Sequence, residues 1–543
     1  MASVSGPARV LATRRSILAG LGGGGAALVA AHLAAAQTAT PLAATPVVPA
    51  VGESLPDAIT AIITHPRYAY ARWGIYVADR ETGETIYDLR GDERFLAAST
   101  TKLFPTATAL DAYGADFQFE TPVYRTGDIG ADGVLDGNLI LVASGDPTMG
   151  GRTTPDGQIA YTPIDHIYAN VFPSLATLTA EDPLAGLDAL AEQVAAAGIT
   201  QVNGDVVVDA RLFPEMAKDD YLLTPIWIND NLIDLTLTPG AEGEPATLTW
   251  RPETAAFQVE SDVRTVSADE PLQVSVTSPS PGVISVTGDL PVNLPQALHT
   301  FQVPDPAAFA RSLFIEALAR AGVKVSAEVS GPNPEDLLPS GSYAEADRVA
   351  LFTSPPFAEN IRLINKVSMN QHADMLIFLL ALHAGETSFE AGLAQIPPFL
   401  HSLGLDPDAV SLSDGRGNVY TDLFSPRSVS HLLQAMATHP EFSVYFDSLP
   451  ILGVDGSETD TVAHDSPVAG KARAKSGTTV DGDAMNMRPL AMVRGLTGYM
   501  TAKSGRELIF ALYVSDVPLA DPLDVLTIIK EQGDIAEIIY ELN

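Results

Sequence analysis

Three short motifs carry the chemistry that this chain could perform, and they occur in one order: Ser99-Thr100-Thr101-Lys102, Ser368-Met369-Asn370 and Lys475-Ser476-Gly477-Thr478. A serine hydroxyl is a weak nucleophile until a base takes its proton. Residues three apart at the start of a helix share a face, so Lys102 can point at the Ser99 hydroxyl. Burial or neighbouring cations would lower its pKa enough for it to act as that base. Ser368 can pass a proton to a leaving amine, and Asn370 can bind a substrate amide through both its donor and its acceptor. Lys475 supplies positive charge, while the Ser476 and Thr478 hydroxyls can hold a carboxylate. Gly477 removes a side chain, so that a substrate could lie along a strand edge. The backbone N–H groups of Ser99 and Thr478 could form an oxyanion hole. The set amounts to serine acyl transfer.

Each motif alone has a plainer explanation: a capping serine beside a solvated lysine, a polar turn, a strand end. The ordered trio does not. No other lysine has a serine three residues before it, and no other asparagine has a serine two before it. A second Lys-Ser-Gly, at Lys503-Ser504-Gly505, lies between Tyr499-Met500 and Leu508-Ile509 and reads as a hairpin turn. Lys475 is therefore favoured.

The elements that must position these motifs come from both ends of the chain. Residues 72–78 alternate like a strand and turn at 81–84 into 85–89. From 99 to 113 the spacing is helical, with Leu103, Ala107 and Leu110 on one face. Pro105 fits there only in the first turn or at a kink. Helical segments follow at 360–367 and 372–383. Residues 470–475 read as a strand that the Lys475 motif ends, 498–500 and 507–514 as a hairpin, and 523–540 as a helix. Residues 115–345 differ: short strands such as 138–142, 205–209, 272–276 and 282–286 are separated by Gly, Pro, Asp and Asn. This block separates Ser99 from Ser368, which must meet, so it reads as inserted domains looping out of a split catalytic domain. The expected fold is a multidomain α+β or α/β chain with an antiparallel sheet flanked by helices. Its expected organisation is a signal at 1–36, a linker at 37–52, catalytic parts at 53–114 and 346–543, and β-rich insertions at 115–345.

At 543 residues, 46% hydrophobic and 18% charged, the chain is globular, and its formal net charge of −36 disfavours nucleic acid and anionic membranes as partners. It has no cysteine, which excludes disulfides and thiolate metal sites. Thr13-Arg14-Arg15-Ser16-Ile17-Leu18 is a twin-arginine pattern before a weakly apolar run, with Ala34-Ala35-Ala36 as a cleavage site. Four consecutive glycines and His32 make that run a poor membrane span. Export to the periplasm or cell surface is expected.

On these motifs the chain resembles the class C low-molecular-mass penicillin-binding proteins, the D-alanyl-D-alanine carboxypeptidases and endopeptidases of the peptidase S13 type. Ser144-Gly145-Asp146-Pro147-Thr148-Met149, residues 202–209, Ile364-Asn365-Lys366, Phe424-Ser425-Pro426-Arg427 and residues 449–457 extend the likeness over most of the chain after residue 60. The resemblance implies a β-lactamase/transpeptidase-like catalytic domain, with Ser99 acylated and Lys102 its base. Ser368 would protonate the leaving D-alanine, Asn370 would orient the amide, and Lys475, Ser476 and Thr478 would hold the terminal carboxylate. Asp146 and Tyr420 join Ser476, Gly477 and Thr478 as substrate-binding candidates. Peptidoglycan stem peptides are the implied substrates and β-lactams the covalent inhibitors, with no metal or cofactor. Two departures bear on the pocket. The family's Asp-Gly-Ser-Gly-Leu-Ser-Arg loop reads Asp414-Gly415-Arg416-Gly417-Asn418-Val419-Tyr420 here, which puts the usual diamino-acid preference in question. Residues 479–494 are longer than the usual link and carry Met485, Met487 and Met492, as a loop packed on the rim or a lid. The alternatives are a β-lactamase, which would need a glutamate with a positioned water, and a non-catalytic peptidoglycan-binding protein.

Overall fold

The computed structural model of the protein describes residues 55–543 apart from 220, 418 and 419. The signal and linker expected before residue 53 lie outside the described residues. The described chain divides into two compact units: residues up to Ala115 together with Ile361–Asn543, and Asp116–Asn360 between them.

The first unit is built on an antiparallel sheet of strands β1 Arg72–Asp79, β2 Thr85–Leu89, β3 Ala472–Asp483, β4 Arg488–Thr501 and β5 Glu507–Pro518, in the order β2-β1-β5-β4-β3. Strands from the two ends of the chain meet at β1 and β5, paired from Arg72↔Ser515 to Asp79↔Leu508. Alternation along the strands sends Trp73, Ile75 and Val77 of β1 and Leu512 and Val514 of β5 into one core. The opposite wall of that core is helix Val525–Leu542, through Ile528, Ile535 and Ile539. Burial of such side chains stabilises the unit by roughly 1.5–3 kcal/mol each. On the other face the Gly74 position is filled by the Phe95 ring, 2.5 Å from where a Cβ would stand. That face carries helix Pro426–Met436, whose Pro426 lies 3.0 Å from the same position. Helices α1 Leu103–Tyr113, α2 Phe357–Val367 and α3 Asn370–His383 adjoin the nucleophile and Ser368 turns.

Three local expectations change. Ser99 and Lys102 do not sit on an α-helix but on a 3₁₀ turn, Ala98–Lys102, that runs into α1. At three residues per turn, positions i and i+3 eclipse, which aligns the two side chains more closely than an α-helix would. Pro105 then falls in the first turn of α1, where no N–H is required of it. Next, the Lys475 motif does not end its strand, since β3 continues to Asp483. Finally, residues 479–494 are not a rim loop. They extend β3 and β4 into a hairpin, with Val480↔Ala491 and Asp483↔Arg488 paired. Asp483 closes the turn by accepting from Asn486 Nδ2 (2.7 Å) and Arg488 Nε (3.1 Å). Met485 and Met487 at its tip are exposed, so they pack on nothing within the unit.

The second unit has its own core, in which helices Ala185–Ala196 and Pro306–Arg320 cover a sheet of four strands. That sheet sets the unit's end. Strand Arg348–Thr353 pairs with Glu120–Arg125, so the boundary expected at 345/346 falls at 360/361. The expected strand pair near 272–286 forms as Gln273–Ser280 against Val283–Pro291.

Candidate active site

Backbone strain marks the nucleophile turn. Ala98, just before Ser99, has φ 45°, a left-handed conformation that costs a non-glycine residue about 1–3 kcal/mol. Its neighbours hold it there. Ala97 N–H donates to Asp422 O (2.9 Å), Thr100 Oγ1 donates to Ala97 O (2.5 Å), and Tyr513 Oη of β5 donates to Thr100 Oγ1 (2.9 Å). The turn lies directly on β3. A Cβ at Gly477 would stand 2.7 Å from Ser99 N and 2.8 Å from Ala97 O. Gly477 is thus required by the approach of the nucleophile turn. Gly417 (φ 84°) does the same from the other side, its Cβ position being 1.8 Å from Ala98 O.

Lys102 is wholly buried. Its Nζ donates to Ser99 Oγ (3.0 Å), Asn370 Oδ1 (2.8 Å) and Arg416 O (2.9 Å). Burial, reinforced by the Lys475 charge, holds its pKa well below an ordinary lysine's, with Asp414 and Asp374 pulling the other way. Ser368 has φ 61° and links α2 to α3, and its Oγ accepts from Lys475 Nζ (3.0 Å). Asn370 thus faces Lys102, and Ser368 faces Lys475. Lys475 Nζ also donates to Ser476 O (2.7 Å), and burial pulls its pKa down to about 7, assisted by Arg494 and opposed by Glu458. The turn before α3 is fixed from behind. Lys366 Nζ binds Leu449 O (2.8 Å) and Asp455 Oδ2 (2.7 Å), and a Cβ at Gly456 would come within 2.5 Å of Lys366 O.

Two further groups complete the cluster, and sequence reasoning missed both. Glu458, fully buried, accepts from Ser476 Oγ and from Ser457 Oγ (3.1 Å) at one oxygen. Its other oxygen accepts from Thr461 Oγ1 (2.6 Å) and Arg494 Nη2 (3.2 Å). Arg494 Nη1 donates to Thr478 Oγ1 (3.1 Å) across the pair Thr478↔Arg494 of β3 and β4. Arg494 is at least a charge inside an apolar stretch, Met492-Val493-Arg494-Gly495-Leu496, whereas Glu458 lies among polar residues and carries no signal.

The remaining candidates part company. Arg416 does not reach into a pocket: it is buried, with Nε 3.4 Å from Asp414 and 3.6 Å from Asp374. Asp422 beside them has its pKa pushed up to about 9, by burial first and then by Asp414. Tyr420 is exposed, and its Oη donates to Asp481 on β3 (2.5 Å). Asp146 belongs to the second unit, where it accepts from Thr148 N (2.9 Å) and Oγ1 (3.0 Å). Lys503 is in the hairpin turn between β4 and β5, paired with Glu541 (2.5 Å) at the surface. No group of side chains suited to a metal ion occurs among the described residues.

Known proteins resemble this chain in sequence and in fold. The model of the D-Ala-D-Ala carboxypeptidase 3 (S13) family matches residues 55–535. A D-alanyl-D-alanine carboxypeptidase of Actinomadura sp. strain R39 is 29% identical over 488 residues, covering 84% of this chain and 80% of its own. The D-alanyl-D-alanine carboxypeptidase DacB of Haemophilus influenzae is 25% identical over 468 residues, covering 82% and 86%. In fold, the chain is similar to the crystal structure of penicillin binding protein 4 from Haemophilus influenzae, with a TM-score of 0.66 at 21% identity over 89% of this chain and 99% of that one.

Proposed function

On the premise that the chain belongs to the D-Ala-D-Ala carboxypeptidase S13 family, we propose that Ser99, Lys102, Ser368, Asn370 and Lys475 are its catalytic residues. The chain is a serine D,D-peptidase of the penicillin-binding class. Neutral Lys102 takes the Ser99 proton as Oγ attacks the penultimate D-alanyl carbonyl of a peptidoglycan stem peptide. The resulting oxyanion is met by the N–H groups of Ser99 and Thr478. Ser368 gives its proton to the departing amine and is resupplied from Lys475. Asn370, its Oδ1 held by Lys102, presents its Nδ2 to the substrate amide. Once its proton has been handed on to replace the one Lys475 gave up, the again neutral Lys102 deprotonates the water that releases the acyl group, and that proton returns to Ser99 Oγ as it leaves. A β-lactam entering the same path leaves a covalent adduct on Ser99. The pocket beyond the scissile bond is assigned to Tyr420 with Asp481, and Asp146 is kept as a substrate-binding candidate.

One observation carries the reading: a wholly buried lysine whose amine lies 3.0 Å from the serine hydroxyl. Burial lowers the pKa of that amine, the state a general base needs, which favours catalysis over a non-catalytic binding protein. Both oxygens of the buried Glu458 are engaged by protein groups, which weighs against a β-lactamase that would use it to activate water. No helix among the described residues is long and apolar enough to cross a membrane. Extracytoplasmic location follows from the cell-wall substrate, and the Arg14-Arg15 pattern supports the twin-arginine route. An Arg14→Lys/Arg15→Lys variant retained in the cytoplasm would support that route, and normal export would refute it. The enzymatic reading is tested by labelling with a fluorescent penicillin. A long-lived adduct, absent in Ser99→Ala, supports the peptidase, whereas rapid turnover favours a β-lactamase.

A further inference from the structure

The two hydroxyls expected to hold the substrate carboxylate are not equivalent. Ser476 has one proton, and it is donated to Glu458. A carboxylate, which can only accept, therefore gains nothing from Ser476 while that bond stands. Thr478 is the reverse case. Its Oγ1 accepts from Arg494 Nη1 (3.1 Å), so its own proton remains available to donate. Arg494 is itself almost fully buried, and its Nε lacks a hydrogen-bond partner. Such an orphaned buried donor costs about 1–3 kcal/mol and calls for an explanation.

We infer that Glu458 and Arg494 are positioning residues that divide the labour of the Lys475 motif. Glu458 withdraws Ser476 from the carboxylate site, and Arg494 orients the Thr478 hydroxyl and supplies a fixed positive charge behind it. The group recognised is the α-carboxylate on the residue that follows the scissile bond. This rests on the D,D-peptidase reading and refines it, because the charge behind the clamp comes from a guanidinium on β4 as well as from Lys475. Burial lowers the Arg494 pKa and the Glu458 carboxylate opposes that shift, but a guanidinium starts far above an amine, whereas burial brings Lys475 down to about 7.

Two measurements test this. The first compares kcat and KM for N-acyl-D-Ala-D-Ala and its C-terminal carboxamide, using wild type and the charge-neutral pair Glu458→Gln/Arg494→Gln, which leaves no lone buried ion. The acid-to-amide ratio of kcat/KM is expected to fall about tenfold or more, chiefly through KM for the acid, the scale of one charge-assisted hydrogen bond. Arg494→Lys, which keeps the charge, is expected to recover part of it. Equal losses on both substrates, or an unchanged ratio, would overturn the assignment and leave the pair merely structural. The second needs no variant: in wild type the preference for the acid is expected to persist well above the Lys475 titration at about 7. A preference that vanishes as Lys475 deprotonates would place all of the recognition on Lys475 and overturn the role of Arg494. Penicillin labelling of Ser99, run in parallel, separates these failures from failure of the peptidase reading itself.

Discussion

At the scale of single residues, Gly477 makes the sharpest demand. A Cβ there would stand 2.7 Å from Ser99 N, so Gly477→Ala must push the nucleophile turn off β3. Displacing a reacting group by about 1 Å costs on the order of 100-fold in rate. Penicillin acylation of Gly477→Ala is expected to slow by about that factor in a protein that still unfolds cooperatively, checked by stopped-flow labelling beside thermal melting. Wild-type acylation would show that the contact is soft. The three motifs were legible as candidates because each is local: a spacing of two or three residues fixes which side chains can act together. Glu458 and Arg494 were not legible. Their meaning depends on the register Thr478↔Arg494 and on a loop folding under β3, and neither can be read from neighbours in sequence. Arg416 is the converse case, a charge that looked pocket-bound and is instead buried against Asp414 and Asp374.

At the scale of elements, the loop that follows Ser413 holds the nucleophile turn through the Asp422 main-chain carbonyl, and buried carboxyls brace the loop itself. Asp422 sits against Asp414, and its pKa is raised to about 9 by burial and by that neighbour. The folded state then holds a proton that the unfolded chain releases above about pH 4. Stability is fully present below that pH and declines as pH rises toward 9. Asp422→Asn, neutral at all pH, is expected to flatten that decline in Tm between pH 5 and 8, and an unchanged slope would remove Asp422 as its source. Strand and helix identities along this unit followed from alternation and helical spacing. What escaped was geometry at the joints. The 3₁₀ turn at Ala98–Lys102 is buried at all five positions and has no apolar pattern to set it apart from the helix it precedes. The hairpin at 479–494 is too polar at Asp481, Asp483 and Arg488 to look like strand, because the pairing reaches past the buried core into solvent.

At the scale of the molecule, the division into a split unit and an inserted one was readable from chemistry, since Ser99 and Ser368 have to meet. Its end at Asn360 was not, because only the pairing of Arg348–Thr353 with Glu120–Arg125 decides it. Inside the inserted unit lies a buried ion network with no sequence signature. Arg152 binds Asp165 (2.8 Å) and Asp230 (2.8 Å), and His166 binds Asp230 (2.9 Å) and Asp234 (2.7 Å), which also takes Arg251 (3.1 Å). Burial lowers the His166 pKa, but Asp234 and Asp230 outweigh it and raise it to about 10. The stabilisation is therefore fully present below about pH 6.5 and lost as pH rises through 10. His166→Asn leaves three carboxylates facing two guanidiniums, which is expected to cost roughly 3–5 kcal/mol at neutral pH. Urea unfolding should register that loss in this unit, and a cost below about 1 kcal/mol would mean that the network is not held by charge.

The central claim is that Ser99 is a nucleophile activated by buried Lys102. Intact-mass spectrometry after incubation with benzylpenicillin tests it most directly. A single adduct, mapped to the peptide carrying Ser99, formed by wild type, abolished in Ser99→Ala and slowed about 1,000-fold or more in Lys102→Ala, is the predicted result. An adduct that survives Ser99→Ala, or that forms at the wild-type rate without Lys102, would contradict it.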